Sequence, residues 1–278
     1  MIDLHLHSYF SDGSFSPSEV VERAVQKGVS VLSLTDHDSI DGIDEAKCMC
    51  ENLGINFISG AEFEASTDTN RSRYIHILGY DFTDINLISN YLNQLKSERI
   101  ALIHKYVNRL QKLGIFTNFD EIASLTPGLH ITAYHIPNFL YKKGYYSNFS
   151  AAKKDFINPD GKYYIERNFY DVPFIINLIL KAGGIPVLAH PCRLPQKNQD
   201  LDSYISYLTK LGIAGIETYY PEHSDDDIIF YQSIANKYGL LQTAGSDWHS
   251  KNSITIGMEP PDETLIISNL LNYNKGSY

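Results

Sequence analysis

Short apolar runs alternate with segments of helical spacing in the first third of the chain. The predicted strands are apolar or β-branched runs at 2–7, 29–35, 55–61 and 73–80. The predicted helices follow capping signals and end at glycines, from Ser16 to Gly28 and from Asp41 to Gly54. Strands and helices that alternate at this spacing indicate parallel β/α units in an α/β fold.

The pattern changes in the middle of the chain. Between about Asp84 and Gly114 apolar residues recur at helical spacing, which predicts one long helix or two consecutive ones. Residues 115–168 are rich in Tyr, Phe, Asn and Lys without a clear strand run, so short helices and loops are predicted there. We interpret this helical segment as an insertion that divides one α/β domain. The predicted parts are the first part of the domain at 1–96, the insertion at 97–168 and the second part at 169–278.

The strand and helix order returns in the last third of the chain. Strands are predicted at 185–189, 215–218 and 240–244. Helices are predicted from Asp171 to Gly183, at 201–211 and at 225–238. The two ends of the chain are therefore expected to complete one α/β domain.

Composition narrows the possible partners. The 278 residues carry a formal net charge of −10, which argues against binding of long nucleic acid or of anionic membranes. Three cysteines are too few for a disulfide framework and fit a reducing compartment. The first residues do not resemble a signal peptide, and no run of about 18 apolar residues is present. We therefore expect a cytoplasmic protein without a membrane segment.

Histidine and carboxylate side chains follow most of the predicted strands. His5 and His7 stand two residues apart and so share one face of a strand, and Asp12 comes in the next loop. The carboxyl ends of parallel strands form one rim, where these groups would converge. The later strands contribute further groups of the same types, namely His37, Glu62, His76, His190, Asp247 and His249.

Such a rim would be a costly collection of buried charge without cations to neutralise it. Mixed histidine and carboxylate ligands suit Zn²⁺, Mn²⁺ or Fe²⁺, and the lack of cysteine ligands argues against a closed structural zinc site. With about three protein ligands per catalytic ion, nine ligands would serve two or three ions. A carboxylate such as Glu62 could bridge two of them.

The ordered motifs resemble those of the polymerase and histidinol phosphatase (PHP) family, and within it the 3′,5′-nucleotide bisphosphate phosphatases. The motifs are HLHSYFSDGSFSP, TDHDSIDG, GAEFE, HILGY, AHPCRL and GSDWH. The resemblance implies a distorted (β/α)7 barrel with a trinuclear metal centre. It implies that His5, His7, Glu62 and Asp247 bind the first ion, that Glu62, His76 and His190 bind the second, and that Asp12, His37 and His249 bind the third.

One motif departs from this pattern. Similar phosphatases have an Arg-Pro-His-Ile stretch in the insertion, whereas this chain has Gly-Leu-His-Ile at 128–131 and lacks the arginine. The retained His130, together with His135, is a candidate for substrate binding. Arg193 and His223 are the candidates for contacts to the phosphoryl oxygens, although a surface ion pair and a helix cap would also explain them. Asp36 and Asp38 are expected to orient His37 or to cap the next helix.

These groups predict a metal-dependent phosphatase that hydrolyses a phosphomonoester of a small molecule. The expected substrate is a nucleotide, either a nucleoside monophosphate or a 3′,5′-bisphosphate. A hydroxide held between two ions would attack phosphorus, and Arg193 would neutralise phosphoryl oxygens. The leaving group would be protonated by His223 or by a metal-bound water.

Four alternatives remain open at this point. Two use the same chemistry, a histidinol-phosphate phosphatase and a 5′-3′ exonuclease acting on short oligonucleotides. A metal-dependent amidohydrolase would also use a His-x-His strand, and a non-catalytic binding module would be expected to lose metal ligands. The aromatic-rich tract 141–164 could stack a base or form the core of a helical cap.

Overall fold

The computed structural model describes residues 1–67, 74–125, 130–168, 170–194, 199–250 and 255–273, which form a mixed α/β fold. Its strands are β1 (Ile2–Leu6), β2 (Val31–Leu34), β3 (Asn56–Phe57), β4 (Gly60–Ser66), β5 (Tyr74–Tyr80), β6 (Ile185–Leu188), β7 (Gly215–Tyr219) and β8 (Leu241–Ala244). Its helices are α1 (Pro17–Gln26), α2 (Ile43–Leu53), α3 (Ile85–Lys112), α4 (Phe119–Ala123), α5 (His135–Lys142), α6 (Phe149–Phe156), α7 (Val172–Lys181), α8 (Gln199–Leu211), α9 (Asp225–Tyr238) and α10 (Glu263–Leu271).

The strands form two sheets. The first is parallel, with the order β1-β2-β3, and the second has the order β4-β5-β6-β7-β8. Isolated bridges connect the two sheets, between Leu6 and Trp248 and between His37 and Glu62. In the described part of the chain no continuous ladder closes the two sheets into a barrel, so the predicted closed barrel is not confirmed.

The prediction of parallel pairing throughout is wrong for β4 and β5. The β4 strand pairs antiparallel with β5, and β5 pairs antiparallel with β6, whereas β6, β7 and β8 are parallel. Residues 67–73 alone join β4 to β5, which is too short for a parallel crossover of about a dozen residues or more. His76 therefore lies inside an antiparallel strand and not at the end of a parallel one.

The predicted strand at 55–61 is also two strands in the structure. The β3 strand ends at Phe57 in the first sheet, and β4 starts at Gly60 in the second. A Cβ atom at Gly60 would collide with Ser33 Oγ, so glycine allows the chain to pass close to β2 where it changes sheets. Glu62 is consequently the third residue of β4, and its side chain is completely buried.

A single helix, α3, occupies the region where one or two helices were predicted. Its first half packs against the core of the second sheet through Ile88 and Leu92, while Ile103 and Leu110 belong to a separate apolar cluster. That second cluster is completed by residues of α4, α5 and α6. The predicted boundary at residue 97 falls inside this continuous helix, and the division into an insertion and two domain parts stays a prediction.

The remaining helices follow the sequence closely, with one addition. Ser16 and Glu19 form the predicted capping box at the start of α1. The α10 helix was not predicted; Asp262 caps it, and Ile266 and Leu270 pack against the cluster that includes β1. Among the described residues, none of the helices has the length and apolar character needed to cross a membrane.

Candidate metal centre

One oxygen of Glu62 faces three of the predicted histidine ligands. Glu62 Oε2 lies 3.2 Å from His5 Nε2, 3.2 Å from His7 Nε2 and 2.9 Å from His37 Nδ1. His5 lies on β1 and His7 directly follows the strand; both side chains face Glu62, as their spacing predicted, and both are completely buried. The bridge between His37 and Glu62 connects the two sheets at this point.

The other oxygen of Glu62 faces two further histidines, His76 and His190. Glu62 Oε1 lies 2.8 Å from His76 Nδ1 and 3.0 Å from His190 Nε2, and these two nitrogen atoms are 3.2 Å apart. The carboxylate therefore presents each of its oxygens to a different set of imidazoles. This is the arrangement expected of a carboxylate that bridges two cations.

The two aspartates complete the cluster. Asp247 Oδ1 lies 3.4 Å from His5 Nε2 and 3.1 Å from His7 Nε2. Asp12 Oδ1 lies 3.1 Å from His249 Nε2, and Asp12 Oδ2 lies 3.8 Å from a nitrogen of His37. Potential ligand atoms fall into three groups, which are His5, His7, Glu62 and Asp247; His37, Glu62 and His76; and His7, Asp12, His37 and His249. The structure thus brings all nine predicted ligands together.

The buried atoms of this cluster lack the partners that a metal-free site would need. His5 Nε2, His7 Nε2 and Glu62 Oε2 are buried and close to one another, yet their relative orientation forms no hydrogen bond among the described residues. Unpaired buried polar atoms are costly, and their convergence fits coordination of a shared cation. The donor set of imidazoles and carboxylates fits Mn²⁺, Zn²⁺ or Fe²⁺.

The charges in the cluster point to the same conclusion. Burial disfavours the charged form of His5, but the surrounding carboxylates outweigh it and raise the pKa of His5 well above its usual value. Burial likewise opposes ionisation of Glu62, yet the neighbouring histidines hold its pKa well below the usual range. The carboxylates thus favour positive charge in the cluster. Protons on the histidines supply this charge when no metal is bound, and divalent cations would replace those protons.

Glu217 on β7 connects two of the histidines, and sequence reasoning missed it. It is completely buried, its Oε1 lies 3.0 Å from His5 Nδ1, and its Oε2 accepts a hydrogen bond of 2.7 Å from the His190 backbone N–H. A carboxylate on the far nitrogen of a ligating imidazole fixes the ring and its tautomer. A carboxylate in the middle of a predicted strand was the available signal.

The backbone is also unusual at two predicted ligands. His190 has a φ of 25° and Asp247 a φ of 55°, which are rare for residues with side chains. Gly245 lies two residues before Asp247, and a Cβ atom at this position would collide with His5. Only glycine therefore lets the GSDWH segment approach β1. Strained backbone of this kind clusters at functional sites, where the surrounding structure maintains it.

Neither predicted role of Asp36 and Asp38 fits their contacts in the structure. Asp36 accepts hydrogen bonds of 2.6 Å from the backbone N–H of Ser8 and from the Ser11 hydroxyl, and Ser11 Oγ lies 3.3 Å from His7 Nδ1. Asp36 therefore stabilises the loop that follows His7, through Ser8 and Ser11. Asp38 forms an ion pair with Arg99 of α3. Their partners come from other loops and helices, so adjacency to His37 in sequence was misleading.

Arg193 contacts Asp247, whereas the contacts of His223 are with Thr218 and Tyr220. The Arg193 guanidinium donates to Asp247 Oδ2 at 2.9 Å and to Glu222 Oε1 at 2.8 Å, and its side chain is 44% exposed. His223 Nδ1 is 2.9 Å from the Thr218 carbonyl oxygen, and its ring lies 5.2 Å from that of Tyr220. The phosphoryl contacts assigned to both residues stay a prediction.

A cavity of about 470 Å³ opens beside the cluster, within the range of roughly 300–1,000 Å³ typical of small-molecule sites. Three predicted ligands line one part of it, and the predicted substrate residues His130 and His135 line another. His130 Nε2 lies 3.0 Å from Arg99 Nη1, while His135 Nδ1 lies close to Thr132. Residues Gly128 and Leu129 of the departing motif lie outside the described residues.

Two arginines on the cavity wall were also missed. Arg99 pairs with Asp38, and Arg167 Nη2 lies 2.8 Å from Glu64 Oε1. Both guanidinium groups line the cavity and are mostly buried, with side chains 14% and 20% exposed. Each ion pair joins residues 60 or more positions apart, and no local pattern in the sequence signals it.

This fold and ligand set define a PHP-type metal site, and comparison with known proteins agrees. The PHP domain family model matches residues 3–170, and the chain belongs to this family. The family assignment made from the motifs is therefore confirmed.

Individual relatives extend the match over most of the chain. A 5′-3′ exoribonuclease of Haemophilus influenzae is 32% identical over 89% of this chain and 89% of its own length. A 3′,5′-nucleoside bisphosphate phosphatase of Chromobacterium violaceum is 29% identical over 90% of this chain and 87% of its own. The structure of a protein from Bifidobacterium adolescentis, described as a metal-dependent phosphoesterase, superposes with a TM-score of 0.75 at 26% identity, covering 97% of this chain and 94% of the other. These relatives are hydrolytic phosphoesterases.

Proposed function

We propose that the protein is a metal-dependent phosphatase that hydrolyses a phosphomonoester of a nucleotide. The observation that carries the proposal is Glu62, whose two oxygens face five imidazoles at the edge of a substrate-sized cavity. The activities named for the exoribonuclease, the bisphosphate phosphatase and the phosphoesterase structure described above support a phosphoesterase over an amidohydrolase.

The chain offers three binding positions for cations. His5, His7, Glu62 and Asp247 would hold the first, Glu62, His76 and His190 the second, and Asp12, His37 and His249 the third. Bound divalent ions would lower the pKa of a coordinated water and neutralise phosphoryl oxygens. Mn²⁺, Zn²⁺ and Fe²⁺ all fit the donor set.

The chain's own residues would orient the ester. Arg193 stands beside Asp247 with nearly half of its side chain exposed, where it could donate to a phosphoryl oxygen. Tyr220 donates to Asp247 Oδ2 at 3.1 Å and helps to hold the carboxylate with Oδ1 towards His5 and His7. We retain His223 as the candidate acid for the leaving group.

The second anionic group of a substrate could be bound on the cavity wall. The phosphatases that resemble this chain have an arginine in the motif where it has Gly128, and here Arg99 lies against His130 of that motif. Arg167 supplies a second guanidinium to the same cavity. Because arginine binds phosphate groups through paired N–H donors, this wall favours a nucleotide bisphosphate.

We further propose that residues 97–168 act as a cap over a distorted (β/α)7 barrel formed by 1–96 and 169–278. The separate apolar cluster of α3 to α6 supports an autonomous helical unit. Its residues Tyr134 and Phe149 line the same cavity as the ligands His37 and His76, which supports a role in substrate selection.

A turnover screen tests the proposed function. The protein is reconstituted with Mn²⁺ or Zn²⁺ and assayed with nucleoside monophosphates, 3′,5′-bisphosphates, histidinol phosphate, short 5′-phosphorylated oligonucleotides and cyclic amides. We expect phosphate release, fastest from a nucleotide, and its loss in Asp247→Ala with the fold intact. Release of mononucleotides from oligonucleotides alone would assign an exonuclease, and amide cleavage without phosphate release would overturn the proposal.

A further inference from the structure

Two partly exposed aromatic rings line the cavity. Tyr134 precedes α5 and is 40% exposed, and Phe149 opens α6 and is 37% exposed. Both line the same cavity as the predicted ligands His37 and His76. Large aromatic side chains exposed inside a cavity offer flat apolar surface to a bound ring.

Polar groups next to the two rings can read the edge of a heterocycle. Asn138 and Thr132 line the cavity, and an amide and a hydroxyl supply both donors and acceptors. Lys153 Nζ lies 5.1 Å from the centre of the Tyr134 ring, a cation–π distance that holds this ring in place. Aromatic surface bordered by hydrogen-bonding groups is the usual way in which proteins bind unpaired bases.

A row of contacts connects this aromatic end with the ligand cluster. His76 is opposite Glu64 in the β4–β5 ladder, and Glu64 binds Arg167. The Arg167 guanidinium in turn lies 5.2 Å from the centre of the Tyr74 ring, which lines the cavity together with Tyr134. The cavity therefore combines metal ligands, cationic groups and aromatic surface, and the contacts run from a ligand through an arginine to an aromatic ring.

We propose that Tyr134 and Phe149 bind the base of a nucleotide substrate. This inference rests on the proposed function. It adds that the enzyme recognises the base of its substrate. This series of contacts supplies one kind of group for each part of such a substrate: metal ligands for a scissile phosphate, arginine for a second anionic group and aromatic rings for a heteroaromatic base. A sugar phosphate without a base would leave the aromatic surface unused.

The test compares adenosine 5′-monophosphate with ribose 5-phosphate, which lacks the base. We expect Tyr134→Ala and Phe149→Ala each to lower the ratio of kcat/KM for the nucleotide over that for ribose 5-phosphate by about 5- to 150-fold, the range of base stacking. Tyr134→Phe should restore the ratio, because it keeps the ring. Tyr141→Ala is the matched control, since Tyr141 lies on α5 and is 48% exposed but is outside the lining of this cavity.

A binding measurement separates this inference from the proposed function. Calorimetric titration of the metal-free protein with adenosine 5′-monophosphate should show weaker binding to Tyr134→Ala than to the Tyr141→Ala control. If no compound of the turnover screen, the 3′,5′-bisphosphates included, is hydrolysed but this difference in binding is found, the base site stands and the phosphatase assignment fails. If both compounds are hydrolysed and Tyr134→Ala and Phe149→Ala leave the ratio unchanged, the base site is overturned while the phosphatase assignment stands.

Discussion

The two sides of the cavity are built in different ways. On one side, the predicted ligands lie on strands or in the loops that follow them, and Glu217 holds His5 and His190 in a buried cluster. On the other side, Arg99 lies on α3 and Arg167 in an irregular segment. Each arginine forms an ion pair and also contacts a ring, that of His130 for Arg99 and that of Tyr74 for Arg167. The first side has the rigidity that catalysis requires. The second side can change its side chains without disturbing the ligands, which suits substrate selection.

The largest effect is expected at the centre of the ligand cluster. Glu62→Gln keeps the size of the side chain but replaces one carboxylate oxygen with an amide, so the bridge between the two sets of imidazoles is lost. We expect a decrease of more than about 1,000-fold in kcat, since metal chemistry contributes several kcal/mol to such reactions. The metal content per chain, measured by elemental analysis, should fall as well.

Glu64→Gln is the matched control for this variant. Glu64 lies two residues further along β4 and pairs with Arg167 on the wall of the cavity. Its replacement should leave the metal content unchanged. Equal metal loss in the two variants would remove the distinction between the ligand side and the substrate side.

A smaller effect on the ligand side is expected from Glu217→Gln. Glu217 accepts from the His190 backbone and contacts His5, and an amide can maintain only one of these contacts as acceptor. We expect the affinity for Mn²⁺, titrated into metal-free protein, to fall by roughly 10- to 100-fold. Activity should recover at saturating Mn²⁺. An unchanged affinity would show that Glu217 has only a structural role, and the exposed Glu222→Gln serves as control.

The clustering of the nine predicted ligands could be predicted from the sequence, whereas the two arginines of the cavity wall could not, for a physical reason. His5, His7, Asp12 and the GSDWH segment are local motifs on strand β1 or in the loops directly after β1 and β8, and the ends of those neighbouring strands bring them to one edge. Arg99 looked like any cationic residue of an amphipathic helix, because its partner Asp38 is distant in sequence and only the packing of α3 brings them together.

The same contrast applies to the fold. The capping box of α1 and the glycine at the end of α2 marked those boundaries locally, and both are found in the structure. The antiparallel direction of β5 could not be read from its residues, since an apolar strand looks alike in either direction. The division of 55–61 between two sheets depends on the close approach of Gly60 to β2, which is a tertiary contact.

On the substrate side, the prediction concerns Arg99→Gln. We expect this variant to raise KM for adenosine 3′,5′-bisphosphate by about 10-fold or more, because a charge-assisted hydrogen bond contributes roughly 1.5–3 kcal/mol. Its metal content should change little. Lys96→Gln is the control, since Lys96 lies on the same helix but is 53% exposed and 3.5 Å from Asp41. The thermal midpoint is recorded alongside KM, because Asp38 loses its partner in the variant. A fall in kcat with loss of metal would place Arg99 on the ligand side instead.

The smallest effect is expected from Tyr106→Phe, which tests whether the helical region is energetically separate from the ligand cluster. The Tyr106 hydroxyl donates to the Phe156 carbonyl oxygen and accepts from the Ile165 backbone N–H, joining α3 to α6 and to the following segment. Its removal leaves both backbone groups unpaired, so we expect the free energy of unfolding in urea to fall by about 1–3 kcal/mol. Affinity for Mn²⁺ should not change, because none of these contacts reaches the ligands. A weaker affinity in Tyr106→Phe, but not in the exposed control Tyr145→Phe, would mean that the two sides of the cavity are coupled through α3 and that substrate selection and metal binding cannot vary independently.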